Sequence, residues 1–273
     1  MINAGAVHIR DRLIFFDTRV RRALSKAIYG LTFPRIRRGK LFHYTGVEAF
    51  TEIAKSGKLR LYSFRKRMGN PFEGELLNLA RLEGWHGLDV ANDDPANLHP
   101  PGANLFYTSL TTAGKLWDFG SVRLRLHVNT SGKMAQLREV QYHASGDVTL
   151  LGKINKALAN EGFPPILPES SYRMAAYSVP DWLRGETETR LLYLHLDHKR
   201  GRPVNDGEFD YWPVRLGITN DVSDVTLTSI QVNSQDALDQ VRKAMVGTSL
   251  NSIVPTLIGA PKTTPQSATP RSG

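Results

Sequence analysis

Short stretches in which apolar and polar residues alternate recur along the chain, and they constrain its fold more than any other feature. In residues 122–128, Val, Leu, Leu and Val alternate with Arg, Arg and His. A period of two is typical of a strand with one buried face. Strands are also predicted at 40–44, 58–62, 105–110, 137–143, 186–196, 211–214 and 225–232. We therefore expect the chain to be organised around an extended sheet.

Helical periodicity lies between these strands and predicts helices over 10–29, 46–56, 71–82, 147–161 and 235–245. The second of these begins after Thr45, which with Glu48 has the spacing of a capping box, and it stops at Gly57. Helices and strands together predict an α+β fold, with a split, mixed or antiparallel sheet as its core and helices flanking it.

The same patterns divide the chain into three segments. Residues 1–39 form a basic amphipathic helix and a linker, residues 40–246 a single catalytic α+β domain, and residues 247–273 a disordered tail rich in Ser, Thr and Pro. The basic run Arg35, Arg37, Arg38 and Lys40 has two interpretations, a set of solvated charges or a patch that contacts phosphates.

Charge and cysteine content narrow the classes of function. The chain has 35 Lys and Arg against 26 Asp and Glu, a formal net charge of +9, which favours anionic partners, although a merely basic protein has the same balance. Without cysteine, disulfides, thiolate metal sites and a cysteine nucleophile are excluded. The N-terminus does not have the pattern of a signal peptide, and no segment approaches the roughly 20 apolar residues of a membrane span. We expect a cytoplasmic protein without membrane contact.

Four groups of residues carry functional chemistry. They are His43, Tyr44 and Thr45 at the end of the first strand; Asn70, Pro71, Phe72 and Glu73 at a helix start; Tyr107, Thr108, Ser109, Leu110 and Thr111 before Trp117; and Trp182 before Glu186, Glu188 and Arg190. His43 has an alternative interpretation as a satisfied core histidine. On a strand, Glu186, Glu188 and Arg190 share one face, where they form either a polar outer face or a site with perturbed pKa values.

The order of these groups suits cleavage of the bond between nicotinamide and ribose in NAD. A carboxylate stabilises the oxocarbenium-like ribose and holds or deprotonates the incoming nucleophile. His43 is a candidate to hold the ribose hydroxyls, and Tyr62 or Tyr107 to stack on nicotinamide. Basic residues are candidates to bind the pyrophosphate.

The chain also resembles a bacterial domain-of-unknown-function family over about residues 41–245. The family's pattern corresponds here to His43-Tyr44-Thr45, to Ile53 with Ser56, Gly57 and Leu59, to Asn70-Pro71-Phe72-Glu73, to Ser109-Leu110 with Trp117, and to Trp182 with Glu186, Glu188 and Arg190. That layout is in turn similar to the ADP-ribosyltransferases, in which three motifs fall on successive strands.

The second similarity implies an ADP-ribosyltransferase-like enzyme that takes NAD as substrate and transfers ADP-ribose to a nucleic acid or protein acceptor. It implies that Glu188 is catalytic and that Glu186 orients the acceptor. NAD-binding candidates are His43, Tyr44, Thr45, Tyr62, Tyr107, Ser109 and Arg190. The middle motif here is Ser-Leu-Thr instead of Ser-Thr-Ser, a departure from the pattern. A role as a toxin or phage-defence effector is a further hypothesis.

Three other functions are compatible with the residues. A nucleic-acid-binding or nucleic-acid-processing module without NAD chemistry would use the positive charge and the aromatics Phe64, Trp85 and Tyr107. A metal-dependent hydrolase would use His86, Asp89, Asp93, Asp94 and His99 or His195, Asp197 and His198, although neither set has a known ligand spacing. A serine hydrolase is disfavoured because G-x-S-x-G is absent. We expect no bound metal.

Overall fold

Six β-strands close into a barrel in the computed structural model. The structure describes residues 18–64, 66, 105–130, 135–144, 149–163, 166, 174, 176–194, 202–218 and 224–258. The strands in these residues are β1 (Arg35–Ile36), β2 (Arg38–Thr45), β3 (Lys58–Ser63), β4 (Leu105–Thr111), β5 (Val122–Asn129), β6 (Ala135–Glu139), β7 (Gln141–His143), β8 (Ser178–Pro180), β9 (Glu188–Leu194), β10 (Val204–Asn205), β11 (Asp210–Gly217), β12 (Val225–Val232) and β13 (Thr256–Leu257).

The helices are fewer than the strands in the described part of the chain. They are α1 (Thr18–Thr32), α2 (Val47–Ser56), α3 (Leu150–Asn160) and α4 (Gln235–Met245), with short 3₁₀ helices at Trp117–Phe119, Asp181–Glu186 and Ser249–Ser252. Among the described residues, no helix combines the length and the apolar character that crossing a membrane requires.

The barrel runs in the order β4, β2, β5, β12, β11, β3 and back to β4. The β11–β12 pair is parallel, and the other neighbours in the ring are antiparallel. Closure depends on β3, which pairs with β11 along most of its length and with β4 at Tyr62 and Ser63. A closed barrel leaves fewer unpaired backbone edges than an open sheet.

Strand β4 has neighbours along both of its edges. Besides β2 and β3 in the barrel, it pairs along its whole length with β9, which continues outward to β6 and β1. The strand therefore has apolar cores on both of its faces. Phe106 and Leu110 belong to the barrel core, and Leu105 and Tyr107 belong to a second core.

The two cores recruit different helices. Buried residues of α2 and α4 join the barrel core, for example Phe50 and Val241. The second core is covered by α1 and α3 through residues such as Ile28 and Leu151. Each helix has the apolar stripe that such packing requires.

The prediction of an α+β fold with a split sheet of the ADP-ribosyltransferase type is wrong. The molecule is mostly β, with a closed six-stranded barrel and few helices. The elements themselves agree well with the sequence patterns, but the β3–β4 and β3–β11 contacts that close the barrel join residues far apart in sequence. Periodicity along one segment carries no information about such partners.

Helix α2 begins one residue later than the capping pattern indicates. Thr45 ends β2, and the N-cap is Gly46, whose extended backbone leads into the helix without a side-chain cap. The predicted stop is confirmed, because Gly57 has a φ of 64° and its N–H donates to the carbonyl of Ile53. Glycine adopts this left-handed conformation without the steric penalty of a Cβ.

Both ends of the described chain pack onto the fold. Ile28, Tyr29 and Phe33 of the N-terminal segment are buried in the second core, and β1 pairs with β6. The prediction of a disordered tail from residue 247 does not hold for residues 247–258, where Leu250 is buried and β13 pairs with β12. Residues 259–273 lie outside the described part.

Gly120 gives a test of the loop that joins β4 to β5. Its φ is 152°, and a Cβ added there would lie 2.3 Å from the carbonyl carbon and oxygen of Thr45. We expect Gly120→Ala to lower the free energy of unfolding by about 1–3 kcal/mol, because neither backbone segment can give way cheaply. Urea denaturation measures the change. Gly185→Ala, where an added Cβ meets nothing within 4 Å, is the control, and equal stability of the two variants would contradict the expectation.

Candidate functional site

A cleft of about 410 Å³ lies beside the single residue pair, Phe42 and Thr111, that joins β2 to β4. Its lining comes from four parts of the chain: the end of β2, the end of β4 with the following loop, the β8 segment with its 3₁₀ helix, and the start of β9. The volume falls in the range of small-molecule sites in proteins. Among the predicted site residues, the cleft brings together His43, Tyr44, Ser109, Glu186, Glu188 and Arg190.

A buried ion pair lies at the start of β9. The Nε of Arg190 donates to Oε1 of Glu188 at 2.8 Å, and Nη2 donates to Oε2 at 3.3 Å. Glu188 is 6% exposed and Arg190 is 3% exposed. Strand alternation places both side chains on one face, as the sequence predicts. Arg190 also donates to the carbonyl of Ala176 and covers the Tyr107 ring, so its guanidinium is fixed from several sides.

Glu186 is not on the strand with Glu188. It ends the 3₁₀ helix Asp181–Glu186, and Thr187 follows with a φ of 44° before β9 begins. A positive φ is unusual for a β-branched residue and is found where surrounding contacts fix the backbone. The Thr111 hydroxyl supplies such a contact by donating to the Glu186 carbonyl at 2.5 Å. The prediction that Glu186 shares the strand face is therefore wrong, although the turn still delivers Glu186 to the cleft.

The Glu186 carboxyl differs from Glu188 in its environment. Its pKa is raised to about 7, mainly by burial and in addition by the neighbouring Glu188 charge, while Arg190 opposes the shift. Glu188 instead accepts two hydrogen bonds from Arg190, which favours its ionised form. Two carboxyl groups whose environments differ in this way are typical of acid–base chemistry.

The raised pKa of Glu186 has a consequence for stability that does not depend on function. The folded protein binds this proton more tightly than the unfolded chain, whose glutamate titrates near 4.5, so stability falls as pH rises through about 7. We expect Glu186→Gln to match the wild type near pH 4.5 and to exceed it at pH 8 by about 1–2 kcal/mol, after allowing for solvent screening of a half-buried group.

Thermal or urea unfolding at several pH values measures this difference. Glu139→Gln, at an exposed position of β6, is the control for the loss of one carboxylate. A Glu186→Gln stability profile that runs parallel to the wild type between pH 4.5 and 8 would show that the carboxyl group is not buried as described.

Tyr142 supports the start of β9 from β7. Its hydroxyl accepts the backbone N–H of Glu188 at 2.7 Å, and Arg184 lies over its ring. Burial raises the pKa of Tyr142, opposed by the hydrogen bond from the Glu188 backbone. Tyr142 therefore remains a neutral phenol at neutral pH and holds Glu188 in place through its main chain.

His43 and Tyr44 enter the cleft from the end of β2. The Nδ1 of His43 lies 3.1 Å from the Ser109 carbonyl, which can only accept, so Nδ1 carries the hydrogen. Nε2 of the neutral ring is then an acceptor. The Tyr44 hydroxyl donates to the Ala113 carbonyl, and Trp117 packs edge-on against the Tyr44 ring at 5.3 Å. Both rings are thus oriented by partners on the β4 side.

Apart from Leu110, Thr111 and Trp182, which belong to the groups that the sequence singles out, the rest of the lining is apolar and is not predicted as a site by the sequence. It consists of Phe42, Leu116, Phe119, Val179, Pro180 and Leu183. Trp182 and Phe119, which both line the cleft, are 58% and 56% exposed, and exposed apolar side chains gathered in one place can mark a binding site. Trp182 stands out in the sequence beside the Glu-x-Glu motif, but nothing in the sequence places Phe119, the last residue of a 3₁₀ helix, in the same cleft.

Three predicted NAD-binding residues do not line the cleft. Thr45 is buried at the end of β2. Tyr107 is fully buried in the second core below Arg190, and Tyr62 packs against Tyr211 with Lys66 over its ring. Asn70, Pro71, Phe72 and Glu73, and all the histidines and aspartates considered for a metal, lie outside the described residues. Within the described residues, no group of three His, Asp or Glu side chains is arranged to hold a metal ion.

Comparisons with protein-family models, with curated proteins and with solved structures find no match to this chain.

Proposed function

We propose that the protein is an enzyme that cleaves the nicotinamide–ribose bond of NAD in this cleft and transfers ADP-ribose to a macromolecular acceptor. The observation that carries the proposal is the pair of carboxyl groups, Glu186 and Glu188, held in different environments within one cleft. Likeness of fold to the ADP-ribosyltransferases contributes nothing, because the fold differs.

Glu188 is suited to stabilise positive charge on the ribose. Its carboxylate is ion-paired and oriented by Arg190 and lines the cleft, so it needs little reorganisation when charge develops nearby. Arg190 is itself nearly inaccessible and committed to Glu188 and Ala176. Its role is therefore to position Glu188, and pyrophosphate binding by this residue is not part of the proposal.

Glu186 is suited to move a proton. A pKa of about 7 makes the group a base for roughly half of the molecules at neutral pH, close to the optimum for general acid–base catalysis. It receives the proton of the acceptor nucleophile as the bond to C1′ of the ribose forms. The electron pair of the broken C1′–N bond goes to the nicotinamide ring, which leaves neutral.

The remaining cleft residues provide binding. His43 lines the cleft and is the candidate to hold a ribose hydroxyl. Tyr44, Phe119 and Trp182 are the aromatic candidates for stacking on nicotinamide, in place of Tyr62 and Tyr107, which do not line the cleft.

Release of nicotinamide from NAD by the purified full chain tests the proposal. The reaction is followed by chromatography without an acceptor and then with RNA, DNA or a cell lysate. We expect release that increases with pH through about 7, because Glu186 must lose its proton to act as a base. The proposal fails if none of these conditions gives release above that of a heat-treated sample.

A nucleic-acid-binding module without NAD chemistry is the second candidate. The aromatics first considered for base stacking do not support it, because Phe64 and Tyr107 are fully buried and Trp85 lies outside the described residues. A different surface, on β2 and β5, does favour contact with nucleic acid.

A further inference from the structure

A stripe of exposed basic residues runs along the outer faces of β2 and β5. It consists of Arg38 and Lys40 on β2 and Arg125 and His127 on β5, all of them exposed. Lys40 and His127 are direct partners across the two strands. Alternate residues on a strand are about 7 Å apart, so the positive groups follow one another at short intervals. This set is called the basic stripe below.

Carboxylates are absent from the strands around the basic stripe. Neither β2, β5 nor the neighbouring β12 contains an Asp or Glu. The outward positions of β12 beside it are Thr226, Thr228, Ser229 and Gln231. Asp118 lies in the loop before β5 and Asp224 just before β12, each at an end of the surface. The opposite face of the barrel differs, since Arg60 there is paired with Glu52.

The basic stripe is continuous with the cleft. One row of directly opposed residues crosses the sheet from Glu188 to Thr111, from Thr111 to Phe42 and from Phe42 to Arg125. Strand spacing puts the Arg125 backbone roughly 15 Å from that of Glu188. Phe42 lines the cleft and is the next residue in the row, so a polymer on the stripe has a short path to the carboxylates.

We propose that the basic stripe binds the sugar-phosphate backbone of a single-stranded nucleic acid and presents it to the cleft as the acceptor of ADP-ribose. Cations that track a backbone beside aromatic side chains are the usual arrangement for single strands. A base or hydroxyl from a single strand enters a cleft of this size without the cost of leaving a duplex. The proposed binding of nucleic acid by the stripe does not depend on NAD cleavage, whereas the role of that nucleic acid as acceptor rests on the proposed NAD chemistry.

Binding is measured with labelled single-stranded RNA and DNA oligonucleotides of about 16 nucleotides, a site size at the upper end for such proteins. The test variant is Lys40→Glu with Arg125→Glu. The matched control is Lys58→Glu with Arg215→Glu, which changes the same charge at two exposed, directly paired residues of β3 and β11. At about 0.15 M salt, charges are screened over roughly 8 Å, so the control substitutions on β3 and β11 should have little electrostatic effect at the basic stripe.

We expect the test variant to bind at least about 10-fold more weakly than wild type, and its salt dependence to be shallower by about 0.7 for each phosphate that the stripe no longer neutralises. The control should bind like wild type. Equal weakening of both variants, no binding by the wild type, or equal binding of a duplex would each overturn the proposal. Competition by polyglutamate as effective as that by the oligonucleotide would also overturn it, in favour of an acidic protein partner.

The two proposals fail in distinguishable ways. The Lys40→Glu and Arg125→Glu variant should release nicotinamide at the wild-type rate without nucleic acid, because neither residue lines the cleft. ADP-ribose transfer to the oligonucleotide should fall with binding. Stripe-dependent binding without any nicotinamide release would contradict the proposed NAD cleavage but support the proposed binding surface. Nicotinamide release without oligonucleotide binding would support NAD cleavage and contradict the binding surface.

Discussion

Glu188→Gln is expected to reduce nicotinamide release from NAD by about 100- to 1,000-fold, the loss typical when one preorganised electrostatic group is removed from an active site. The amide has the size of the carboxylate and still accepts a hydrogen bond from Arg190, but it carries no charge to oppose a positive ribose. Because that charge develops only as the bond breaks, kcat should fall far more than the affinity for NAD.

The measurement requires that the Glu188→Gln protein is folded, and it needs a control variant in which another carboxylate is replaced. Glu139→Gln is suitable, since Glu139 is exposed on β6 and lies opposite Thr189, next to Glu188 in the chain. It should retain the wild-type rate. Calorimetric NAD binding by Glu188→Gln separates an effect on chemistry from an effect on substrate affinity. A folded, NAD-binding Glu188→Gln protein with the wild-type rate would rule out the role given to Glu188.

Arg190→Ala is expected to lower the free energy of unfolding by about 3–5 kcal/mol. The substitution leaves the Glu188 carboxylate buried without its ion-pair partner, and the cost of an uncompensated buried charge is of this size. It also removes the donor to the Ala176 carbonyl and the cation above the Tyr107 ring. Urea denaturation at neutral pH gives the value from the shift in midpoint.

Arg184→Ala is the control for Arg190→Ala. Arg184 pairs with Asp181 in the same region, but its side chain is 67% exposed, and exposed pairs contribute about 0–1 kcal/mol. Adding Glu188→Gln to Arg190→Ala should restore part of the stability, because the uncompensated charge is then gone. Destabilisation of similar size in the two arginine variants would mean that the Glu188–Arg190 pair is not buried.

Local elements of this protein follow from its sequence to a large extent. Alternation predicts β12 with its observed bounds, and helical spacing does the same for α4. The segment 137–143 shows the limit, because the structure divides it into the end of β6 and β7, which belong to different sheets. Val140, between them, is buried but lies out of phase with Leu137 in a period of two, so the alternation is interrupted where the structure has its break.

The fold could not be predicted in the same way. Closure of the barrel depends on which strands meet, and β3 meets β11 at residues about 150 positions away. Six antiparallel or mixed strands of similar length and polarity are compatible with an open sheet and with a barrel. Most of the described helices and strands were therefore predicted, but their arrangement as an α+β split sheet was wrong.

The residues of the candidate site also differ in whether local sequence features or long-range contacts determine them. Polar residues at strand ends, such as His43 and Glu188, are visible in the sequence because charge and position on a strand are local properties. Phe119 and Val179 cannot be identified in the same way, since the approach of their 3₁₀ helix and of β8 to the cleft depends on long-range contacts. Tyr107 shows the opposite error, because its apolar ring and the strand alternation direct it into a core.

The pairing of β4 along both of its edges sets an expectation for how the two sides of the cleft exchange amide hydrogen with solvent. Amides of β4 are bonded within the barrel and to β9, so we expect them to exchange among the slowest in the molecule. Residues Asp181–Glu186 form a short 3₁₀ helix with exposed residues, so we expect their amides to exchange through local opening. A deuterium-labelling experiment would then divide the cleft into a slow side at the strands and a fast side at the 3₁₀ helix.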